Sequence, residues 1–175
     1  MEEEEKLLKN NCMQKQSIEK GNHKTMWKLE KFENDEAVKS NTPFEVKNIE
    51  DNILVNTGIN ALLTLLAGGG GDAFDNDNSY LGVGEDVTAA DAGQTDLIGA
   101  SKVRVAMNAT YPTFGTSQKI TFQADFGSAV ANFAWNEFAV FNASSGGTML
   151  NRKVEVEGTK TAGQTWRLSL EISLS

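Results

Sequence analysis

Two stretches of this chain alternate apolar and polar side chains without a break, and they leave few folds open. In "KITFQADF" the apolar set is Ile120, Phe122, Ala124 and Phe126; in "TWRLSLEISLS" it is Trp166, Leu168, Leu170, Ile172 and Leu174. Neighbouring side chains of an extended strand point to opposite faces, so a period of two describes a half-buried strand rather than a helix. Shorter runs repeat the pattern. Trp27 and Leu29 point one way in "MWKLEKFE", and Phe44 and Val46 do so after the turn signal "SNTP", which reads as a hairpin. Val103, Val105 and Met107 form another run. "YLGVGED" reads as a strand with glycines at close backbone approaches, and "YPTFGTSQ" as a turn.

One segment has the helical period. In "NILVNTGINALLTLLAGGGG", Ile59, Leu62, Leu63 and Leu66 fall at i, i+3, i+4 and i+7, which predicts a short amphipathic helix burying that stripe. Asn56 or Thr57 is expected to cap its start, and Gly68 to end it in a left-handed conformation.

The late stretch "NFAWNEFAVFNASSGGTMLNRKV" is harder to phase. Its apolar positions run through Phe133 and Trp135, then shift at Asn136 and Glu137 to Phe138 and Val140. Such a shift predicts a β-bulge, or a corner where the chain crosses between sheets. Phe133, Trp135, Phe138, Phe141 and Trp166 are read as core and corner residues.

Many short strands, one helix and no strand-helix-strand rhythm give the fold class: mainly β, an antiparallel β-sandwich with one short amphipathic helix and an N-terminal extension. Residues 26–175 are expected to form a single domain. Residues 1–25 are expected to be an arm, disordered or ordered on a partner, because acidic residues come first, lysines follow, and the apolar candidates are few. Met26 could itself be the natural start of the domain.

Charge and cysteine usage narrow the function. The net charge is -8, and lysines and arginines are scattered without a basic stripe, which argues against nucleic acid as a partner. Cys12 is the single cysteine, so an internal disulfide framework or a multi-cysteine zinc site is excluded, and synthesis in a reducing cytoplasm is expected. The opening residues lack the basic and apolar regions of a secretory signal, and no apolar run is long enough to span a bilayer as a helix.

Catalytic constellations fare no better. The only histidine is His23, so a Ser-His-Asp or Cys-His arrangement would have to use the leader. Gly68 to Gly71 follow the helix instead of leading into one, the wrong direction for a phosphate cradle. Glu137 lies beside Trp135 in a setting that could raise a carboxyl pKa, but it has no recognisable partner for sugar cleavage, and bonding to backbone groups at the bulge is the simpler role. The expectation is therefore a protein that is not an enzyme.

One oxygen-rich loop is a candidate cation site. Asp72, Asp75 and Asp77, with Asn76 and Asn78 between and beside them, have the oxygen chemistry of a structural calcium site. The glycine and glutamate of a complete EF-hand loop are missing, Tyr80 and Asp86 standing there instead. Asp and Asn also make turns through their own backbone bonds, which is the simpler reading, and no other cofactor is expected.

"VNTGINALLTLLAGGGGDAFDNDNSYLGVG", "KVRVAMNATYPT", "ITFQADFGSAVANFAWNEFAVFNASSGGTMLNRKV" and "GTKTAGQTWRLSLEIS" together resemble small virion-associated proteins encoded among tailed-bacteriophage and prophage structural genes. "WNEFAVFNASSGGTMLNR" is similar to the pattern of β-sandwich domains in phage tail-collar and fibre proteins, which attach a protein to a virion. The resemblance implies a non-enzymatic virion component assembled in the host cytoplasm. Because no shaft or receptor-binding tip follows, a capsid decoration or minor head protein is expected, binding the major capsid protein or other virion proteins and stabilising the outer capsid surface. A tail-collar or fibre-adaptor domain, trimeric by analogy, is the alternative, and a virion-surface carbohydrate-binding module is the third. A homotrimer is a candidate state through exposed strand edges.

Overall fold

The computed structural model describes residues 23–175. These form two antiparallel sheets of five strands, with 41% strand and 10% helix, so the mainly β, sandwich-like fold expected from the alternation is present. The first sheet has the order β2-β1-β10-β7-β6, from β1 (His23–Phe32), β2 (Glu45–Glu50), β6 (Thr113–Thr116), β7 (Lys119–Phe126) and β10 (Thr165–Leu174). The second has the order β3-β9-β8-β4-β5, from β3 (Ile53–Leu54), β4 (Tyr80–Gly84), β5 (Lys102–Ala106), β8 (Glu137–Phe141) and β9 (Met149–Val154).

The two cleanly alternating stretches, β7 and β10, pair with each other, Phe122 opposite Leu170 and Ala124 opposite Leu168. Their apolar face, with Trp27 and Leu29 of β1, packs against Leu81, Val83, Phe138, Val140 and Leu150 of the second sheet. β1 starts at His23, three residues before Met26, and its first turns of ladder pair with the end of β10. The arm reading of residues 1–25 otherwise falls outside the described residues.

The β1-β2 hairpin forms, but with a different phase in β2. Trp27 lies opposite Ile49 and Leu29 opposite Lys47, so Ile49 is the buried residue, while Phe44 and Val46 are half exposed. As an edge strand β2 covers the core with one residue only, and the connection contains a short helix, α1 (Asp35–Lys39), capped by the Asn34 side chain accepting from the Ala37 amide. "YPTFGTSQ" likewise contains more than a turn: β6 runs through it, and the reversal is at Ser117 and Gln118, both at positive φ as a two-residue primed hairpin requires.

The predicted helix is present as α2 (Asn56–Leu66), followed by Gly68 at φ +70°. Its cap and its buried face differ from expectation. Val55, not Asn56 or Thr57, occupies the cap position, and no side chain caps the helix. The buried side is Gly58, with Ala61 and Leu65 packed on the core, and the stripe Ile59, Leu62, Leu63 and Leu66 faces outward. A Cβ on Gly58 would stand 2.3 Å from the Leu150 carbonyl oxygen, so the helix sits backbone-on-backbone against β9 through its small residues. Periodicity found the helix but ranked its faces by apolar bulk, whereas close approach selected the smallest face.

Residues 127–136 carry the chain from β7 in the first sheet to β8 in the second, the corner that the phase shift predicted. The expected bulge lies elsewhere, in β9. Val140 pairs with Asn151 and Phe141 with Met149, which leaves Leu150 as the extra residue, and the Asn151 side-chain oxygen accepts from the Val140 amide at 3.0 Å.

Candidate functional site

β8 is buried along its whole length, which explains why "EFAVF" does not alternate. Phe138 and Val140 face the sandwich core. Ala139 and Phe141 face the other way, into a second apolar cluster with Val55, Leu97 and Met149, beneath the long segment 85–101 that straps the outer face of the sheet.

Glu137 shares that outer face and is fully buried, as is Arg152 of β9. Nε of Arg152 donates to Oε2 of Glu137 at 2.9 Å, and Nη2 lies 2.7 Å from the same oxygen. The carboxylate also accepts from the strap, Ile98 N at 3.1 Å on Oε2 and Gly99 N at 2.7 Å on Oε1. Arg152 Nη1 donates back to the strap, to the Thr88 carbonyl at 2.9 Å and Oε1 of Gln94 at 3.0 Å. A charge this deep is tolerated only when paired and hydrogen-bonded, and here each ion ties down two further points of one loop.

The glycines of β4 belong to this centre. Gly84 lies opposite Glu137 and Gly82 opposite Ala139. A Cβ on Gly84 would be 2.3 Å from Oε1 of Glu137, and one on Gly82 would be 2.7 Å from the Phe141 ring. The close approach expected in "YLGVG" is thus made by side chains over glycine, not by a second backbone.

Glu137 therefore bonds backbone amides, those of the strap rather than of a bulge, and Arg152 is its partner. Oε2 of Glu137 accepts from Ile98 N and Arg152 Nε and Oε1 accepts from Gly99 N, so the buried carboxylate is held by three hydrogen bonds and its ion pair, an arrangement that fixes the strap to the sheet. A cleft of about 460 Å³ opens beside Arg152, between Ile53, Lys153 and Val154 on one side and Val87, Ala89 and Ala90 on the other.

The other sequence-marked residues divide by position. Trp135, Phe138, Phe141 and Trp166 are buried, and Phe133 is partly buried against the main cluster. Trp135 is the hub: its ring meets Phe126 edge-on at 4.7 Å and Trp166 at 4.9 Å, and its indole N–H donates to the Ala131 carbonyl at 3.0 Å. His23 lies exposed at the start of β1. Asp72, Asp75 and Asp77 lie in the loop between α2 and β4. Oδ1 of Asp75 accepts from the backbone and side-chain amides of Asn78, at 3.0 Å each, and the Asp72 carbonyl accepts from Asn142. Among the described residues no three His, Cys, Asp or Glu side chains converge as a metal site.

Lys160 is a buried cation that the sequence reading did not single out. Its Nζ donates to the Gly127 carbonyl at 2.9 Å and Oδ1 of Asn132 at 2.8 Å, tying the β9-β10 connection to the corner. Burial pushes its pKa below the ordinary lysine value of 10.5, and the Asp35 charge opposes that only in part. Between the depressed value and 10.5 the unfolded chain binds more protons than the folded one, so stability contributed here rises with pH through that window and the full cost applies below it. Lys160→Met is expected to flatten that rise, read as urea midpoints of variant and parent at stepped pH up to 10.5. An unchanged slope would assign the effect to another group.

Comparisons with protein-family models, curated proteins and solved structures find no match for this chain.

Proposed function

We propose that this protein is a non-enzymatic structural component of a tailed-phage virion, a decoration or minor head protein that binds the outer capsid surface. The family resemblance in the sequence supplies the virion. The observation that carries the non-catalytic, surface-binding part is the distribution of side chains: buried ionic groups are consumed in holding loops, while large apolar residues stand outside. Glu137 and Arg152 are tied to each other, and each of them and Lys160 is tied to backbone groups. Phe44, Phe114, Leu63 and Leu66 are exposed on surface elements. Of these, Leu63 and Leu66 form one contiguous stripe with Ile59 and Leu62 on α2, and a contiguous exposed apolar patch marks a contact surface where single exposed residues do not.

On this reading many copies bind repeated capsid sites, and each stabilises the shell by binding its assembled form more tightly than free subunits. The test is co-sedimentation of purified protein with capsids lacking it. Binding that saturates at a fixed number of copies per capsomer, and raises the temperature at which the shell opens, is expected; no binding to capsids, with binding to tails instead, would move the protein to the collar or fibre-adaptor alternative. The carbohydrate-binding reading draws no support from the tryptophans, since Trp27, Trp135 and Trp166 are all interior and none can stack on a sugar.

A further inference from the structure

The outward stripe of α2 is unusual in three respects that bear on the same partner. It is apolar and exposed: Leu63 is 59% and Leu66 85% accessible, with Ile59 and Leu62 beside them. It lies in a segment, residues 56–71, without one ionisable side chain, in a chain of net charge -8. Two copies of so acidic a protein repel over most orientations, and a charge-free face is where they can meet without that cost.

The spacing of the stripe is also self-complementary. Positions 59, 62, 63 and 66 are separated by three, one and three residues, a pattern that reads the same in both directions. A twofold axis passing between the two helices at the level of Leu62 and Leu63 places Ile59 of one copy by Leu66 of the other and pairs the two central leucines, which is the condition for an isologous contact. The helix ends favour the same arrangement. α2 has no acidic residue in its first turn, no basic residue in its last and no side-chain cap. An antiparallel neighbour brings the negative end of one helix dipole beside the positive end of the other, compensating what no side chain of α2 compensates.

We propose that two copies of this chain associate through α2, packed antiparallel about a twofold axis at the level of Leu62 and Leu63. This goes beyond the virion reading and does not rest on it. The platform is rigid, because Gly58 seats the helix directly on the Leu150 backbone. One short helix presents less than the roughly 800 Å² per partner of a standard interface, so association in the micromolar range is expected.

Sedimentation equilibrium on the full chain tests it. The mass is expected to rise from one 19.0 kDa chain toward twice that value between about 1 and 100 μM, and Leu63→Glu, a surface change that leaves the circular dichroism spectrum intact, is expected to return it to one chain. In a Cys12→Ser background, mixing Ile59→Cys with Leu66→Cys chains is expected to give the mixed disulfide in preference to either self-linked product. A single-chain mass across the range overturns the proposal, whether the first 22 residues or another protein then covers the stripe. So does a trimer, a dimer that survives Leu63→Glu, or a dominance of self-linked products.

Discussion

Replacing Arg152 with methionine is expected to destabilise the domain by about 3–5 kcal/mol, because it strips Glu137 of its counter-ion while leaving the carboxylate fully buried. The loss is a large share of the roughly 5–15 kcal/mol by which a domain of this kind is stable. The strap would also lose its anchors at Thr88 and Gln94. Urea denaturation followed by tryptophan fluorescence measures it, since Trp27, Trp135 and Trp166 are all interior reporters. The physical cause is separable from simple loss of contacts. Glu137→Gln combined with Arg152→Met removes the stranded charge and keeps a side-chain oxygen for one of the two strap amides, Ile98 or Gly99, so the double variant is expected to be more stable than Arg152→Met alone. Additive losses in the pair would show that the uncompensated charge is not what destabilises the single variant.

Trp135→Ala is expected to cost a similar amount, about 3–5 kcal/mol, through the cavity it leaves where the two sheets meet. Trp135 touches Phe126 and Trp166 of the first sheet and Phe138 of the second, with ring centroids 4.7, 4.9 and 6.2 Å away. Its backbone joins the corner to the β9-β10 connection, donating to the Gly158 carbonyl and accepting from the Glu157 amide. Trp135→Phe keeps the edge-on ring contacts and removes the bond to the Ala131 carbonyl, so a smaller loss of about 1–2 kcal/mol is expected. Phe114→Ala, on the exposed edge strand β6, should stay within about 0.5 kcal/mol. A Trp135→Ala variant no less stable than Phe114→Ala would contradict the account of the corner.

What the sequence disclosed depended on how each element is exposed. β7 and β10 were legible because each directs its apolar residues to one face, which writes an alternation into Ile120 to Phe126 and Trp166 to Leu174, even though β10 also covers Thr165 and Ser169 on its other face and leaves Leu174 exposed. β8 buries both faces, so its five residues carry no period, and Glu137 looked like an isolated acid in an aromatic run. Arg152 was missed because "NRKV" resembles a solvated strand end. The available signal was the hairpin itself: "NASSGGT" joins two strands of buried character, one with the single acid Glu137 and the other with the bases Arg152 and Lys153, and in the observed register Arg152 lies opposite Ala139, diagonal to Glu137. The face of α2 was inverted because a helical wheel weighs leucines above glycine, while Gly58 is the residue that allows contact with Leu150.

The glycines of β4 make the same point at the level of single atoms. Gly82 and Gly84 read as places of close backbone approach, yet they are the room into which the Phe141 and Glu137 side chains fit, so β4 is intelligible only once the third dimension places β8 beside it. The phase shift at Asn136 and Glu137, by contrast, marked an irregularity from one chain segment alone, but it left a bulge and a corner open, and only the two-sheet topology selects the corner.

The measurement that bears most directly on the proposed virion role is the copy number of this protein in tailed-phage particles produced by cells that express it, separated into heads and tails and counted against the major capsid protein by quantitative mass spectrometry. The account predicts many copies in the head fraction, in fixed proportion to the capsid lattice. A handful of copies confined to tails, or none in any particle, would contradict it.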